Sequence, residues 1–182
     1  GTSSYEDIKN SDIIVVTAGI IRKPGMSRDD LFSINTKIVK EAAKKSAKHS
    51  PNAIIIVVTN PLDAMVYVAS KASKLPKNKV MGMGSSLDSA RFRTFIASSL
   101  KVSPAKVDAI VIGSHSNLMV PLPAHSKANN IKITELLAPG KINELVQRTK
   151  KGGEEIVNLL KTGSAFYAPA SSIVLMAESI IK

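Results

Sequence analysis

His115 lies in a Gly113-Ser114-His115-Ser116-Asn117 loop directly after an expected strand, Val107 to Ile112. Imidazole changes charge near neutral pH, so a histidine at a strand end can act as a general base or acid. It can equally be a structural or surface residue. Asp88 and Arg91 stand three apart in a helix-patterned segment, so both project from one face. On its own such a pair reads as an intrahelical ion pair worth roughly a few tenths of a kcal/mol. Arg22 and Arg28 flank Pro24-Gly25 and read, alone, as a solvated basic loop. His49, His115 and His125 lack ligand spacing such as His-Glu-x-x-His, so no metal site is expected. The chain has no cysteine, which excludes thiolate catalysis and disulfides.

The elements that must position these groups alternate between strand and helix in the first half, the pattern of a parallel α/β sheet. Ile13 to Val16 is a short apolar run ending at Thr17-Ala18-Gly19. Ser27 is a candidate N-cap with acidic Asp29 and Asp30 behind it, predicting a helix toward His49. Ala53 to Val58 reads as a second buried strand closed by Thr59-Asn60-Pro61, with a helix from near Pro61 ending before Pro76. Lys79 to Met83 gives a third strand. Beyond Ser85 the rhythm changes: a helix carrying Asp88 and Arg91, a strand over 107–112, and a hairpin region from Leu118 to Leu122. Two helices are then expected, over 141–160 and 169–181. Ligands of open parallel sheets bind beyond the carboxyl ends of the strands. Here those ends are Thr17-Ala18-Gly19, Thr59-Asn60-Pro61 and Met83-Gly84-Ser85, small enough for a flat cofactor to approach the backbone.

Composition narrows the class. With 44% hydrophobic and 21% charged residues, the 182-residue chain reads as globular. No apolar run is long enough for a membrane span, and residues 1–10 lack the basic and apolar regions of a secretory signal. The lack of cysteine is compatible with the cytoplasm. The net charge of +11 raises the question of a polyanion surface. Lysines, however, are scattered from Lys9 to Lys182, and aromatics make up only 4%. The basic stretches with interleaved aromatics of single-strand binders are missing, so solvated helix faces are expected rather than nucleic acid.

Thr17-Ala18-Gly19, the Arg22-to-Arg28 segment RKPGMSR, Val58-Thr59-Asn60-Pro61, the Leu87-to-Arg93 segment LDSARFR, and Gly113-x-His115 form an ordered series. With Met119-Val120-Pro121-Leu122 and the Gly163-to-Pro169 segment GSAFYAP, the series resembles the malate/lactate dehydrogenase family along essentially the whole chain. The resemblance is to its malate-using, lactate-dehydrogenase-like branch. It implies the C-terminal half of a Rossmann-type doubly wound parallel sheet followed by part of an α+β catalytic domain. The boundary falls near Gly84, dividing residues 1–84 from 85–182.

The resemblance implies reversible hydride transfer between malate and NAD, giving oxaloacetate and NADH. By it, His115 is the proton acceptor and Asp88 orients its ring. Arg91 grips the substrate's C1 carboxylate, Arg28 polarises the reacting carbonyl from a mobile loop, and Asn60 hydrogen-bonds the substrate oxygen. Arg22 faces the far end of the substrate, where malate carries a second carboxylate. Thr17, Ala18, Gly19, Val58 and Asn60 line the cofactor, and Ala165 matches a substrate-pocket position. The implied partners are a small dicarboxylate and further copies of the chain in a homodimer or homotetramer.

The chain departs from the family in two ways. The family's Gly-x-Gly-x-x-Gly turn and its ribose-binding acid are expected upstream of Gly1, and the end of the catalytic domain beyond Lys182, so an incomplete chain is expected. The family's Gly-His-Gly-Asp is here Ser114-His115-Ser116-Asn117, which would strain the loop if residue 116 required a positive φ. Two other functions are consistent with these residues: a lactate or broad 2-ketoacid dehydrogenase, and an inactive dehydrogenase-like fragment.

Overall fold

The computed structural model describes residues 1–21, 25–161 and 165–182, with Arg28 described by its backbone alone. The chain divides into two compact units, residues 1–83 with 173–182, and residues 84–172.

In the first unit, β1 (Ile13–Val16) leads to α1 (Arg28–His49), β2 (Ile54–Val57), α2 (Leu62–Ser73) and β3 (Val80–Gly82). The three strands form a parallel sheet in the order β1-β2-β3, with Ile13 opposite Ile54 and Ile55 opposite Val80. The middle strand is the most buried because it has neighbours on both edges: Ile55, Ile56 and Val57 are fully buried. Burial of such side chains contributes roughly 1.5–3 kcal/mol each. Val39, Ala43, Met65 and Ala69 from the two helices join the core on this sheet. Helix α1 starts where the sequence predicts. The Ser27 side chain accepts from the backbone N–H of Asp30, and the Asp30 carboxylate accepts from that of Ser27.

The second unit opens with α3 (Gly84–Leu100), followed by β4 (Val107–Asp108), β5 (Val111–Ile112), β6 (Val120–Pro121), β7 (Lys127–Ala128) and β8 (Ile131–Lys132). Three helices come next, α4 (Ile133–Leu136), α5 (Pro139–Lys150) and α6 (Gly152–Leu160). The last helix, α7 (Tyr167–Ile181), starts in the second unit and ends in the first. Strands β4, β7 and β8 form one antiparallel sheet and β5 and β6 a separate hairpin. Phe92 and Ile96 of α3 are buried against Val107, Val111, Ala128, Ile133 and Leu145.

Three expectations are corrected. The segment 107–112 is not one strand. It changes partner at Ala109–Ile110, pairing first with β7 and then with β6, and a strand's own sequence carries no record of its partners. The expected helix over 141–160 is two helices broken at Lys151, ahead of the poor helix formers Gly152 and Gly153. The final helix begins at Tyr167 rather than Pro169, since proline is tolerated in a first turn, where its missing N–H is not needed.

Among the described residues, no helix is long and apolar enough to cross a membrane. None of their His, Cys, Asp and Glu side chains group in a way that could hold a metal ion.

Candidate active site

The polar constellation of the second unit is built on α3. Asp88 lies one turn into this helix on its buried face, and Arg91 follows on the same face. A carboxylate so deeply buried must be hydrogen-bonded, because an unpaired buried charge is costly. Two groups meet it. Arg91 Nη1 donates to Oδ1 at 3.3 Å, and His115 Nδ1 lies 2.7 Å from Oδ2. The side chains are 2% exposed for Asp88, 13% for Arg91 and 18% for His115. An ionised carboxylate only accepts hydrogen bonds, so opposite a charged Asp88 the Nδ1 of His115 is the donor.

Local contacts hold His115 over Asp88. Ser89, the next residue on α3, accepts the Val111 N–H at 2.9 Å through Oγ and so ties β5, the strand that feeds the histidine loop, to the helix. Inside the loop, Ser116 N–H donates to Ser114 O at 2.8 Å, and Ser116 O accepts from Met119 N–H at 3.0 Å. The positive φ of this loop, 87°, belongs to Gly113. Ser116 is not among the positive-φ residues, so the strain expected of a serine there does not arise. Its Oγ instead accepts from the Leu118 N–H at 3.1 Å.

The first unit brings a second set together at the carboxyl ends of β1 and β2. Thr17, Ala18, Gly19 and Asn60 are exposed there, and Val58 is half-buried. Behind them, buried Thr59 donates through Oγ1 to Ala18 O at 2.8 Å. A Cβ on Gly19 would stand 2.5 Å from Thr59 Cγ2, so only glycine lets this backbone lie flat on the threonine. Asn35 of α1, fully buried, accepts from Ile20 N–H at 2.8 Å. Its amide donates to Ile20 O at 3.1 Å and to Asn60 O at 2.7 Å. The result is an exposed ledge of small residues with its backbone pinned from below, able to take a flat ring.

Sequence reasoning missed Asn35, though a signal existed. It falls between Leu31 and Val39 at four-residue spacing on the buried stripe of α1, and a polar residue there has to serve a neighbouring backbone. Of the other expected site residues, Arg22 and the side chain of Arg28 lie outside the described residues, as does the Thr162–Ser164 segment. Ala165 is described and half-buried.

Residues 1–82 match the family model for the lactate/malate dehydrogenase NAD binding domain, and residues 85–182 that for the alpha/beta C-terminal domain. The chain is 56% identical over 182 residues to a malate dehydrogenase of Shouchella clausii, covering 100% of this chain and 58% of the relative. It is similar to the crystallised malate dehydrogenase of Picrophilus torridus in its apo form. The TM-score is 0.92 at 54% identity, with 96% of this chain and 54% of the other covered. It is also similar to the lactate dehydrogenase of Eimeria maxima with NADH and oxamate. That TM-score is 0.93 at 45% identity, covering 100% of this chain and 57% of the other. The chain thus spans somewhat over half the length of the relatives it matches.

Proposed function

Because the chain belongs to the lactate/malate dehydrogenase family, we propose that the enzyme interconverts malate and oxaloacetate with NAD as the redox partner. The observation that carries this reading is the contact of His115 with buried Asp88, which also holds Arg91. NAD, when bound, accepts a hydride from the carbon that bears the hydroxyl. The proposed task of this chain is the proton and the geometry.

In malate oxidation, His115 Nε2 takes the hydroxyl proton as the base. The buried Asp88 carboxylate fixes the ring orientation and stabilises the imidazolium that results. Arg91 presents a planar fork to the C1 carboxylate, a bidentate geometry that lysine cannot offer. Arg28 polarises the carbonyl in the reverse reaction, and Asn60 hydrogen-bonds the same oxygen. Thr17, Ala18, Gly19 and Val58 form the ledge for the nicotinamide end of the cofactor. In this reading, residues 1–84 serve the cofactor and 85–182 the substrate. A cytoplasmic homodimer or homotetramer working in the tricarboxylic acid cycle completes the proposal.

Arg22 sets the choice of acid. Opposite the C1 carboxylate, a guanidinium enclosed with malate or oxaloacetate meets a second carboxylate; with pyruvate it meets a methyl group and stays unpaired. Sites built around a polar partner reject analogues lacking it by about 10⁴-fold. The likeness to a lactate dehydrogenase makes lactate the alternative substrate. The test is kcat/KM for oxaloacetate against pyruvate with NADH. Oxaloacetate should lead by several orders of magnitude, and Arg22→Gln should narrow the gap. Equal use of both acids would remove malate and leave a broader 2-ketoacid dehydrogenase.

A further inference from the structure

The stem of Arg91 lies against the first turn of α6. A Cβ built on buried Gly152 would stand 3.0 Å from Arg91 Cδ and 3.4 Å from Nε. The arginine is already tied to Asp88 through Nη1, so a methyl group at 152 would push the stem aside by a few tenths of an ångström. One residue further, a Cβ on Gly153 would come no closer than 3.8 Å to Nη1, an ordinary contact.

The glycine at 152 has no other local cause. Its φ is not positive; the positive-φ glycines among the described residues are Gly19, Gly25 and Gly113. It is the first residue of a helix, where alanine is the better helix former. A brace one turn away holds α6 in this position. Arg148, near the end of α5, donates through Nε and Nη2 to the Glu155 carboxylate of α6 at 3.0 and 2.7 Å. The same guanidinium sits 4.1 Å from the ring centroid of Phe95 on α3. Phe95 is four residues beyond Arg91 and Glu155 three beyond Gly152, so Arg148 of α5 bridges α3 and α6 one turn beyond the Arg91–Gly152 contact.

We propose that Gly152 is a positioning residue for the substrate-binding arginine: its missing side chain lets the Arg91 stem lie on the α6 backbone and sets where the fork meets the C1 carboxylate. This rests on the role proposed for Arg91. Displacements well under an ångström at a positioning group degrade binding and rate, since about 1 Å can cost 10²-fold.

The experiment compares Gly152→Ala with Gly153→Ala in the complete enzyme. Gly152→Ala should raise KM for oxaloacetate about tenfold, with NADH affinity unchanged and Tm unchanged or higher. Gly153→Ala should leave KM near wild type. With the stem removed by Arg91→Ala, adding Gly152→Ala should lower kcat/KM no further. An unchanged KM in Gly152→Ala, or an undiminished loss in the Arg91→Ala background, overturns the assignment. A wild-type enzyme inactive on oxaloacetate would overturn the functional reading beneath it instead.

Discussion

Nδ1 of His115 lies 2.7 Å from Oδ2 of Asp88, and the carboxylate is the deeper partner, 2% exposed against 18% for the imidazole. The aspartate is therefore fixed by the fold and the histidine is oriented by the aspartate. Asp88→Asn keeps the volume and removes the charge that would stabilise an imidazolium. Turnover of oxaloacetate should drop by about 10² to 10⁴-fold, measured as kcat at saturating substrate. Near-wild-type kcat in this variant would take Asp88 out of the mechanism.

Asn35 presents a different kind of dependence. Its side chain makes three hydrogen bonds to the backbones of Ile20 and Asn60, and no water reaches it. Asn35→Ala leaves those groups short of partners, which should cost about 2–4 kcal/mol in urea unfolding. Cofactor affinity should fall as well, because Asn60 and the loop after β1 lose a common anchor. Unchanged stability would mean that the loop finds other partners.

How much could be read in advance depended on whether the signal was local. The strands at 13–16 and 54–57 and the cap at Ser27 follow from apolar runs and capping chemistry within a few residues. The approach of His115 to Asp88 spans 27 positions and came from resemblance, since no spacing rule brings a loop to a distant helix. The partner change at Ala109–Ile110 depends on tertiary neighbours, which hydrophobic periodicity does not report. The break at Lys151 and the burial of Asn35 have local signals, in the Gly152-Gly153 pair and in the apolar stripe of α1, but the backbone groups that Asn35 serves are distant in sequence. Gly152 falls inside the expected helix over 141–160 and has no role there by sequence; only the side chain of Arg91 beside it gives it one.

The brace between α5 and α6 makes stability depend on acid pH. The hydrogen bond from Arg148 holds the Glu155 carboxyl below its ordinary value of 4.5, with burial opposing and the charge of Arg148 assisting. The folded value is thus lower than the unfolded one. The pair's stabilisation is complete above the unfolded value and is lost as pH falls through the folded value. Both side chains are partly exposed, so the effect is at most about 1 kcal/mol and shrinks with salt. The Tm difference between wild type and Glu155→Gln should be constant near neutral pH and close as pH falls below about 4. A difference that widens on acidification would contradict this sign.

The central claim is that His115 carries the proton in a reaction between NADH and oxaloacetate, and the direct measurement is NADH oxidation by the complete enzyme and by its His115→Asn variant. Asparagine keeps a polar side chain near Asp88 but has no group that exchanges a proton near neutral pH. General acid–base catalysis contributes about 10² to 10⁴-fold, so kcat should fall by that factor while NADH affinity, read by fluorescence, stays at the wild-type value. A His115→Asn enzyme that oxidises NADH with oxaloacetate at close to the wild-type rate would contradict the claim.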